Sequence, residues 1–387
     1  MIGSSLNVAP ACVDDYRELA RKRLPRQFFD YIDGHSYQEK TGQANVEAFE
    51  NLQLRQRILQ DVSRVDTSTE FLGRQMDMPV ILAPVGLTGC FAKRGEVQGL
   101  KAANKANVPF TLSTVGICSI EELQQAATQP FWFQLYVIKD HKFCIRLLER
   151  AKAAGCDTLV FTVDLPVLGE RYRDTRNGLS GNGSLLGNLK RGWDIISHPH
   201  WLLDVPIGGK PLTFGNLQEA LPDAQGLSDF KGWVDEQFDP SICWEDLNWI
   251  RDHWDGNIVL KGILDAEDAK QAVAIGADAI VVSNHGGRQL DGVPATLAVL
   301  PEIKQAVDGK TKIIVDSGIR SGLDVVKALA CGADACMIGR AWSYALAARG
   351  EQGVSHILDI MKKEMHVAMS LTGVNRVEEI DQSILVR

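Results

Sequence analysis

The sequence predicts an α/β chain that closes into a (β/α)8 TIM barrel, and three observations favour this fold. A glycine that ends a helix, then an aspartate and an apolar run, recurs at residues 155–163, 276–282 and 332–339. Glycine suits the position after a helix, and a strand without polar alternation suits a parallel sheet covered on both faces. Eight apolar runs have strand length, and helical patterns lie between most of them. Eight regular βα units favour closure over a doubly wound open sheet, and no GxGxxG motif opens a first βα turn.

The predicted elements divide a single domain, residues 1–387, into consecutive parts. Residues 1–78 are expected to be an N-terminal helical segment, 79–350 the barrel, and 351–387 a C-terminal helix and tail. The strands are expected at residues 79–83, 110–113, 131–136, 158–163, 257–261, 279–283, 312–316 and 335–339. Helices between them are clearest at residues 95–106, 143–154, 266–275 and 322–330. Residues 165–256, after strand four, are far longer than a usual βα loop and are predicted to be an insertion.

Composition narrows the class of protein. The net charge of -8 and the pI of about 5.6 argue against a general nucleic-acid binder. Eight scattered cysteines without a CxxC pair fit reduced thiols in the cytoplasm, and no histidine cluster has the spacing of a metal site. The first residues do not resemble a signal peptide, and no apolar run approaches the length of a membrane-spanning helix. Any membrane contact is therefore expected to be peripheral.

Ionisable residues follow two of the predicted strands, where catalytic groups of this fold lie. Strand six runs into "SNHGGRQLDG", with His285 and Arg288, and strand four is followed by Asp164, with Arg171 in the same loop. A histidine beside a carboxylate suits proton abstraction, and paired arginines suit bidentate capture of a small carboxylate. The alternative for His285 is a turn histidine that bonds only to the backbone.

The loops after strands seven and eight have the character of a phosphate site. They contain Asp316, Gly318, Arg320, Gly339 and Arg340. Glycines let backbone N–H groups approach an anion, and arginines supply charge. The alternative is two ordinary turns with surface arginines.

Polar residues at the remaining strand ends suit a cofactor such as FMN beside that phosphate site. They are Gln134 and Tyr136 at the end of strand three, Thr162 in strand four and Lys261 in strand five. Lys261 would place its ammonium beside the ring and stabilise an anionic reduced flavin.

Several motifs, in the same order along the chain, resemble the FMN-dependent 2-hydroxy acid dehydrogenase and oxidase family. They are "LPRQFFDYIDG", "TVDLPVLGERYRD", "SNHGGRQLDG" and "VDSGIRSGLDVVKALACGADACMIGRA". The resemblance runs from about residue 14 to the C-terminus and is strongest to bacterial, quinone-linked L-lactate dehydrogenases. It implies oxidation of an L-2-hydroxy acid, above all L-lactate, by a homotetramer that contains FMN.

The resemblance also implies a role for each matched residue. His285 would be the base, with catalytic roles also for Asp164, Tyr136 and Lys261. The substrate would be held by Tyr31, Tyr136, Arg171 and Arg288. FMN would contact Ala83, Pro84, Val85, Ser113, Gln134, Thr162 and Lys261, and its phosphate and ribityl chain Asp316, Gly318, Arg320, Gly339 and Arg340.

Departures from the family pattern leave the substrate and the electron acceptor open. Val115 stands where glycolate-oxidase-like members have tryptophan, and Ile32 where many members have a second tyrosine. These changes put glycolate in doubt, while Val85 and Leu168 are expected to shape a pocket for lactate, a longer 2-hydroxy acid or mandelate. A soluble oxidase that makes hydrogen peroxide and a flavin-binding sensor without catalysis compete with the quinone-linked dehydrogenase as functions of this chain.

The insertion contains a segment, residues 184–203, that is predicted to lie on a membrane. On a helical wheel one face carries Leu185, Leu186, Leu189, Trp193 and Ile196, and the opposite face carries Lys190, Arg191 and Asp194. Such a helix would lie in the bilayer interface and bring the site near quinone, at the cytoplasmic face of the inner membrane. The alternative is a loop that packs its tryptophans on the barrel or on a neighbouring subunit.

Overall fold

The described N-terminal residues contain three helices, as the sequence predicted, and a hairpin, which it did not predict. The computed structural model describes residues 8–136, 138–180, 185–210, 212–220 and 237–386. The helices are α1 (Val13–Arg23), α2 (Arg26–Asp33) and α3 (Lys40–Asn51), followed by strands β1 (Thr69–Phe71) and β2 (Arg74–Met76). Leu72 and Gly73 both have positive φ, as a two-residue hairpin turn requires. The expectation of helix throughout residues 1–78 was therefore wrong for this stretch.

The barrel prediction is confirmed, with all eight strands close to their expected positions. They are β3 (Val80–Leu82), β4 (Thr111–Ser113), β5 (Trp132–Leu135), β6 (Thr158–Thr162), β7 (Asn257–Ile263), β8 (Ala279–Val282), β9 (Lys312–Val315) and β10 (Ala335–Ile338). They are parallel, in the order β3-β10-β9-β8-β7-β6-β5-β4. A parallel bridge between Leu82 and Phe110 brings the two ends of this sheet together. The carboxyl ends of all eight strands therefore meet at one mouth.

The barrel interior is a separate apolar cluster that the hairpin extends. Inward residues of the strands, such as Val160 and Val281, are fully buried there together with Phe71 and Met76 of the hairpin. The rings of Phe71 and Trp132 lie 6.4 Å apart. The hairpin thus covers the end of the barrel where β5 begins, opposite the mouth, which leaves the mouth for polar groups.

In the described ranges, helices surround the barrel and make up part of the insertion. After α3 they are α4 (Gly95–Lys105), α5 (Ile120–Ala126), α6 (His141–Ala153), α7 (Tyr172–Arg176), α8 (Leu185–Ile196), α9 (Pro199–Leu202), α10 (Leu247–His253), α11 (Ala266–Ala274), α12 (Thr296–Val307), α13 (Gly322–Ala330) and α14 (Arg340–Thr372). A kink at Arg349 and Gly350 divides α14 in two. None of the helices in the described ranges is long and apolar enough to cross a membrane.

The insertion supplies α7 to α10, and its predicted amphipathic helix is present as α8. Leu186, Leu189, Trp193 and Ile196 on its apolar face are between 62% and 74% exposed. Ser184 and the side chain of Leu185 lie outside the described part of the chain. Trp201, only a few residues further on, is buried instead, and its Nε1 donates to the carbonyl of Cys90 at 2.7 Å. The tryptophans of this segment therefore divide between solvent and the protein interior.

Candidate active site

The barrel mouth brings a histidine, an aspartate and a lysine from three strands together. His285 Nδ1, after β8, lies 3.0 Å from Asp164 Oδ1, after β6. Lys261 Nζ, on β7, lies 2.9 Å from Asp316 Oδ2 and donates to Ser283 Oγ at 2.9 Å. Segments far apart in sequence thus form one polar cluster.

A tight turn directs the His285 side chain toward Asp164. His285, Gly286 and Gly287 have consecutive φ angles of 58°, 67° and 71°. The backbone N–H of His285 donates to Ser283 Oγ at 3.0 Å, and that of Gly286 to Ser317 Oγ at 2.9 Å. A Cβ atom on Gly287 would lie 2.7 Å from Gly42 N, so only glycine fits against α3. His285 is therefore a turn residue, as the alternative interpretation predicted. Its ring nitrogen nevertheless also contacts the Asp164 carboxylate.

Electrostatics keep His285 neutral and Asp164 charged. Burial lowers the pKa of His285, and the opposing effect of Asp164 does not fully restore it. Burial alone would raise the pKa of Asp164, but His285 and then Lys261 outweigh it, and the net pKa is lowered. Asp164 Oδ2 is buried and has no hydrogen-bond partner among the described residues. The pair therefore combines a neutral base with a carboxylate that would stabilise its protonated form.

Two arginines lie beside this pair and next to each other. Arg171 Nε donates to the Arg288 carbonyl at 3.3 Å, and the Arg288 guanidinium lies 4.7 Å from the centre of the Tyr31 ring. Burial and the like charge of Arg288 lower the pKa of Arg171 to about 10. Neither arginine forms a salt bridge within the described ranges. The two charges thus create a positive site suited to a small carboxylate.

Tyr136 closes the same site from β5. Burial, and then the negative charge of Asp164, raise its pKa, so the hydroxyl remains a hydrogen-bond donor. Its ring packs edge-on against Phe238 of the insertion, with centroids 5.5 Å apart. The Tyr31 hydroxyl lies close enough to raise the pKa of Tyr136 further. On its other side, a Cβ atom on Gly86 would come within 3.2 Å of the Tyr31 hydroxyl and within 2.7 Å of Val115 Cγ2.

A chain of buried polar side chains continues the site across β4, β5 and β6. Ser113 Oγ donates to Gln134 Oε1 at 3.1 Å, and Gln134 Nε2 donates to Thr162 Oγ1 at 3.0 Å. These are the residues expected to face the flavin ring. Ala83, Pro84 and Val85 follow β3, which the bridge between Leu82 and Phe110 brings next to β4.

The two arginines predicted to bind the phosphate, Arg340 and Arg320, both donate hydrogen bonds to backbone carbonyls. Arg340 donates to the carbonyls of Ile32, Gly34 and Gly286 at 2.8 to 3.0 Å. Burial lowers its pKa to about 9, and the charges of Arg320 and Arg288 add to the effect. Arg320 is partly buried and donates to its neighbour's carbonyl at 2.9 Å.

Two predicted glycines serve different purposes. A Cβ atom on Gly339 would meet only Val85 Cγ2, at 3.9 Å, so there is room for a ligand beside this main chain. A Cβ atom on Gly318 would lie 2.3 Å from the Asn45 carbonyl, so close packing against α3 already requires glycine there. Asp316 is held by Lys261 and by Ser317 Oγ at 2.7 Å.

Sequence reasoning missed residues that support the site from behind. Asn45 of α3 and Asn284 exchange two side-chain hydrogen bonds at 2.8 and 2.9 Å, and both are buried. Thr114 Oγ1 donates to the Gln134 carbonyl at 2.6 Å and accepts from the Tyr136 N–H at 3.2 Å. Asn284 and Thr114 stand beside predicted site residues, which was the available signal. Asn45 lies far away in the sequence and carried none.

These residues fit FMN. Arg340 and Arg171 have pKa values lowered by burial, so an anionic group beside either would be stabilised. The hydrogen-bonded side chains of Ser113, Gln134 and Thr162 offer donors and acceptors to the polar edge of a flavin ring. The open main chain at Gly339 suits a phosphate. Lys261 completes the set with a buried ammonium.

The fold and the site define a flavin-linked oxidoreductase built on a (β/α)8 barrel. Residues 20–387 match the sequence profile of the family described as FMN-dependent dehydrogenase, and the chain belongs to that family. Its cofactor is accordingly FMN.

Proteins named L-lactate dehydrogenase are similar to this chain over nearly its whole length. That of Haemophilus influenzae (strain ATCC 51907 / DSM 11121 / KW20 / Rd) is 57% identical over 96% of this chain and 97% of its own. That of Ectopseudomonas mendocina (strain ymp) is 55% identical over 96% of this chain and 98% of its own. The solved structure of the monotopic membrane protein (S)-mandelate dehydrogenase has a TM-score of 0.91 and 36% identity, covering 97% of this chain and 99% of that one. A mandelate oxidase structure has a TM-score of 0.82 at 36% identity, with 98% of both chains covered.

Proposed function

We propose that this protein oxidises L-lactate to pyruvate and passes the electrons to membrane quinone. The observation that carries the proposal is the His285–Asp164 pair, 3.0 Å apart, beside Arg171 and Arg288, whose like charges repel each other. Relatives that are 55–57% identical bear the name L-lactate dehydrogenase. The site supplies a base and a carboxylate receptor, which are the two things that a 2-hydroxy acid requires.

The residues of the mouth perform the proton chemistry. Arg171 and Arg288 bind the substrate carboxylate, and the hydroxyls of Tyr31 and Tyr136 orient it. Oxidation of a 2-hydroxy acid to a 2-oxo acid releases two electrons and two protons, and FMN, when bound, would accept both electrons together with one of the protons. The second ring nitrogen of His285, Nε2, takes one proton, and Asp164 stabilises the imidazolium that results.

Lys261 lies close enough to the same pair for its charge to lower the pKa values of His285 and Asp164. Burial alone would lower its pKa, but Asp316 and then Asp164 raise it, so the ammonium stays charged. A fixed positive charge here stabilises negative charge that develops on a reduced flavin ring. Arg320, Arg340, Gly318 and Gly339 surround the phosphate end, where Asp316 is the candidate partner of the ribityl chain.

The test is anaerobic reduction of the protein-bound flavin by a panel of L- and D-2-hydroxy acids. L-lactate is expected to bleach the flavin absorbance, and D-lactate is not. Mandelate is the second candidate, because the similar solved structures include enzymes of mandelate. Preference for L-mandelate over L-lactate in this panel would replace lactate as the substrate. Failure of every acid would contradict the proposed function and favour a flavin-binding sensor.

The apolar face of α8 supports the membrane part of the proposal. Together with Leu203 and Ile207, which are also more than 60% exposed, Leu189 and Trp193 form a surface that water solvates poorly. Lys190 is exposed next to it. A helix of this kind lies in a bilayer interface, and one solved structure similar to this chain is described as a monotopic membrane protein. We place the protein at the cytoplasmic face of the inner membrane.

A double substitution tests membrane binding more cleanly than removal of residues 184–203 would, because that segment includes the buried Trp201. Leu189→Glu with Trp193→Glu is expected to abolish cosedimentation with anionic phospholipid vesicles and to leave flavin reduction by L-lactate intact. The matched control, Val367→Glu with Leu371→Glu, places the same charges on exposed apolar positions of α14. Vesicle binding that survives in the first variant would remove α8 from the membrane surface.

The electron acceptor and the assembly need separate measurements. Reoxidation of the reduced flavin by a soluble quinone is expected to be much faster than by air. Stoichiometric hydrogen peroxide in air would identify the alternative, a soluble oxidase. Family resemblance suggests a homotetramer, which light scattering would detect as four times the 42.5 kDa chain mass.

A further inference from the structure

One asparagine of the insertion is completely buried against the mouth of the barrel. Asn216 is 0% exposed and makes three side-chain hydrogen bonds, all to backbone atoms. Its Nδ2 donates to the carbonyls of Ser113 at 3.2 Å and Thr114 at 3.4 Å, and its Oδ1 accepts from the Ile120 N–H at 2.8 Å. A buried amide with these partners connects the end of β4 to the start of α5.

The backbone on either side of Asn216 is pressed onto the same loop. Gly215 N donates to the Gly116 carbonyl at 3.1 Å. A Cβ atom on Gly215 would lie 2.6 Å from Ser119 N, so no larger residue allows this approach. Arg150 Nη1 donates to the Asn216 carbonyl at 3.1 Å from the outer side. The Asn216 side chain therefore has little freedom to find other partners.

The segment that Asn216 holds is a wall of the active site. Ser113 bonds to Gln134 on the predicted flavin side, and Thr114 accepts from the Tyr136 N–H. Val115 N donates to Ser113 Oγ at 3.3 Å, and the Val115 side chain lies beside Gly86 and the Tyr31 hydroxyl. Movement of this segment would shift Val115 and Tyr136 together.

The insertion also reaches the neighbouring loops of the mouth. Trp201 bonds to the Cys90 carbonyl in the loop after β3, and Phe238 packs on Tyr136 after β5. Ile138 and Phe238 form an antiparallel bridge. Among these contacts, those of Asn216 alone act directly on the backbone between β4 and Val115.

We propose that Asn216 is a positioning residue that holds the Ser113-Thr114-Val115 wall in place and thereby sets the fit of the 2-hydroxy acid. The inference rests on the proposed function, because it concerns the same substrate pocket. It assigns to the insertion a role in substrate selection in addition to membrane contact. A displacement of about 1 Å in such a wall would misplace the substrate relative to the groups that bind it and react with it.

Asn216→Asp is the sharpest variant. The carboxylate keeps an acceptor for Ile120 N–H but places a negative oxygen where Nδ2 now faces two carbonyl oxygens. Repulsion is expected to move Ser113 and Thr114 outward. Asn216→Ser is the milder companion, since its hydroxyl is too short to reach both sides, and it serves if the aspartate variant does not fold. Asn248→Asp is the matched control, because Asn248 is an exposed asparagine of the same insertion whose side chain, within the described part of the chain, bonds only to the Glu245 carbonyl, at 3.0 Å.

The measurement compares flavin-loaded variants in anaerobic reduction by L-lactate and by L-2-hydroxybutyrate. The half-saturating concentration is expected to rise roughly tenfold in both Asn216 variants, while the limiting rate changes by less than about threefold. The ratio of kcat/KM between the two acids is expected to change by about threefold or more. Pyruvate binding, followed by perturbation of the flavin absorbance, is expected to weaken in parallel. Asn248→Asp is expected to match the wild type.

Two outcomes separate the inference from the proposed function. An Asn216 variant that binds FMN and retains wild-type half-saturation and wild-type preference between the acids overturns the positioning role. Wild-type protein that neither acid reduces contradicts the proposed function instead, and the pyruvate titration still compares the pocket of the variants with that of the wild type.

Discussion

The ammonium of Lys261 lies 2.9 Å from the carboxylate of Asp316, and both groups are almost completely buried at the mouth of the barrel. The two residues stand at the ends of β7 and β9, so the pair bridges strands that are not neighbours in the sheet. Ser283, directly after the intervening strand β8, accepts a hydrogen bond from the same ammonium. A buried pair of this kind is expensive to break from one side, because the remaining charge has no partner.

Substitution of Lys261 is therefore expected to affect folding as well as the flavin. Lys261→Met leaves the buried Asp316 carboxylate without a counter-charge, and should lower the free energy of unfolding by about 3 kcal/mol. The double variant Lys261→Met with Asp316→Asn should recover most of that loss, although flavin reduction stays slow in both. Urea denaturation of the wild type and both variants, at a fixed, saturating FMN concentration, measures these differences in the free energy of unfolding.

An ion pair on the surface provides the control for this comparison. Lys312 and Asp334 lie 3.3 Å apart, but Lys312 is exposed, so Lys312→Met should cost less than about 1 kcal/mol. Equal losses for Lys312→Met and Lys261→Met would show that the buried pair has no special weight.

His285→Gln is expected to remove the base and to keep the flavin. Glutamine has a similar size and polarity but cannot accept the proton, so anaerobic flavin reduction by L-lactate should slow by about 10²–10⁴-fold. The absorbance of the purified variant should remain that of a bound flavin. His141→Gln is the control, since His141 also meets an aspartate, Asp239 at 3.2 Å, but lies outside the site. Reduction at a near-normal rate in His285→Gln would exclude His285 as the base.

The pH profile follows from the lowered pKa of His285. Because burial favours the neutral imidazole, His285 gains a proton only below its ordinary value of 6.5. The kcat/KM for L-lactate should be level near pH 7 and fall as the pH drops through the lowered pKa. The same group contributes stability to the folded state above pH 6.5 and loses it over the same acid range.

Asp164→Asn should move this acid limb to still lower pH. The carboxylate is the largest influence that raises the pKa of His285, and the amide removes it. The limiting rate of flavin reduction should fall by about 10²–10⁴-fold, because the imidazolium loses its stabilising partner. Rates measured from pH 5 to 9 in parallel with Asp239→Asn provide the comparison. An acid limb that stays in place or moves upward in Asp164→Asn would contradict the coupling.

Much of the fold was predictable because its signals are local. The Gly-x-Asp motif before a strand, as at Gly276 and Gly332, indicates the end of a helix and a buried strand within about ten residues. Since parallel strands share one carboxyl edge, the positions of His285 and Asp164 after two strands sufficed to bring them together. The hairpin at Thr69–Phe71 and Arg74–Met76 escaped prediction because its short strands alternate too briefly to show a period.

The supporting contacts of the site were not predictable in the same way. Asn216 and Trp201 belong to an insertion without a repeating pattern, and their partners lie about one hundred residues away. The partners of Arg340 are backbone carbonyls, which any sequence would supply. Gly318 is predicted as a phosphate residue, and its contact with α3 requires glycine there in any case. Such relationships depend on how segments pack and leave no mark on local composition.

Arg171 offers a way to distinguish a binding residue from a structural one. Its pKa is lowered to about 10 by burial and by Arg288, so the folded protein holds this charge at a cost. Arg171→Met should therefore raise the KM for L-lactate by ~100-fold or more, because the carboxylate loses half of its receptor. Arg171→Lys should recover only part of this loss, since an ammonium cannot bind a carboxylate in the bidentate manner.

The stability of the same variant provides the second half of the argument. Without substrate, Arg171→Met should unfold at the same urea concentration as the wild type or a higher one, because the repulsion with Arg288 disappears. The exposed Arg176, five positions further on at the end of α7, is the control, and Arg176→Met should change neither KM nor stability. A variant of Arg171 that is unstable but binds lactate normally would make this arginine a structural residue, and Arg288 alone would then have to hold the carboxylate.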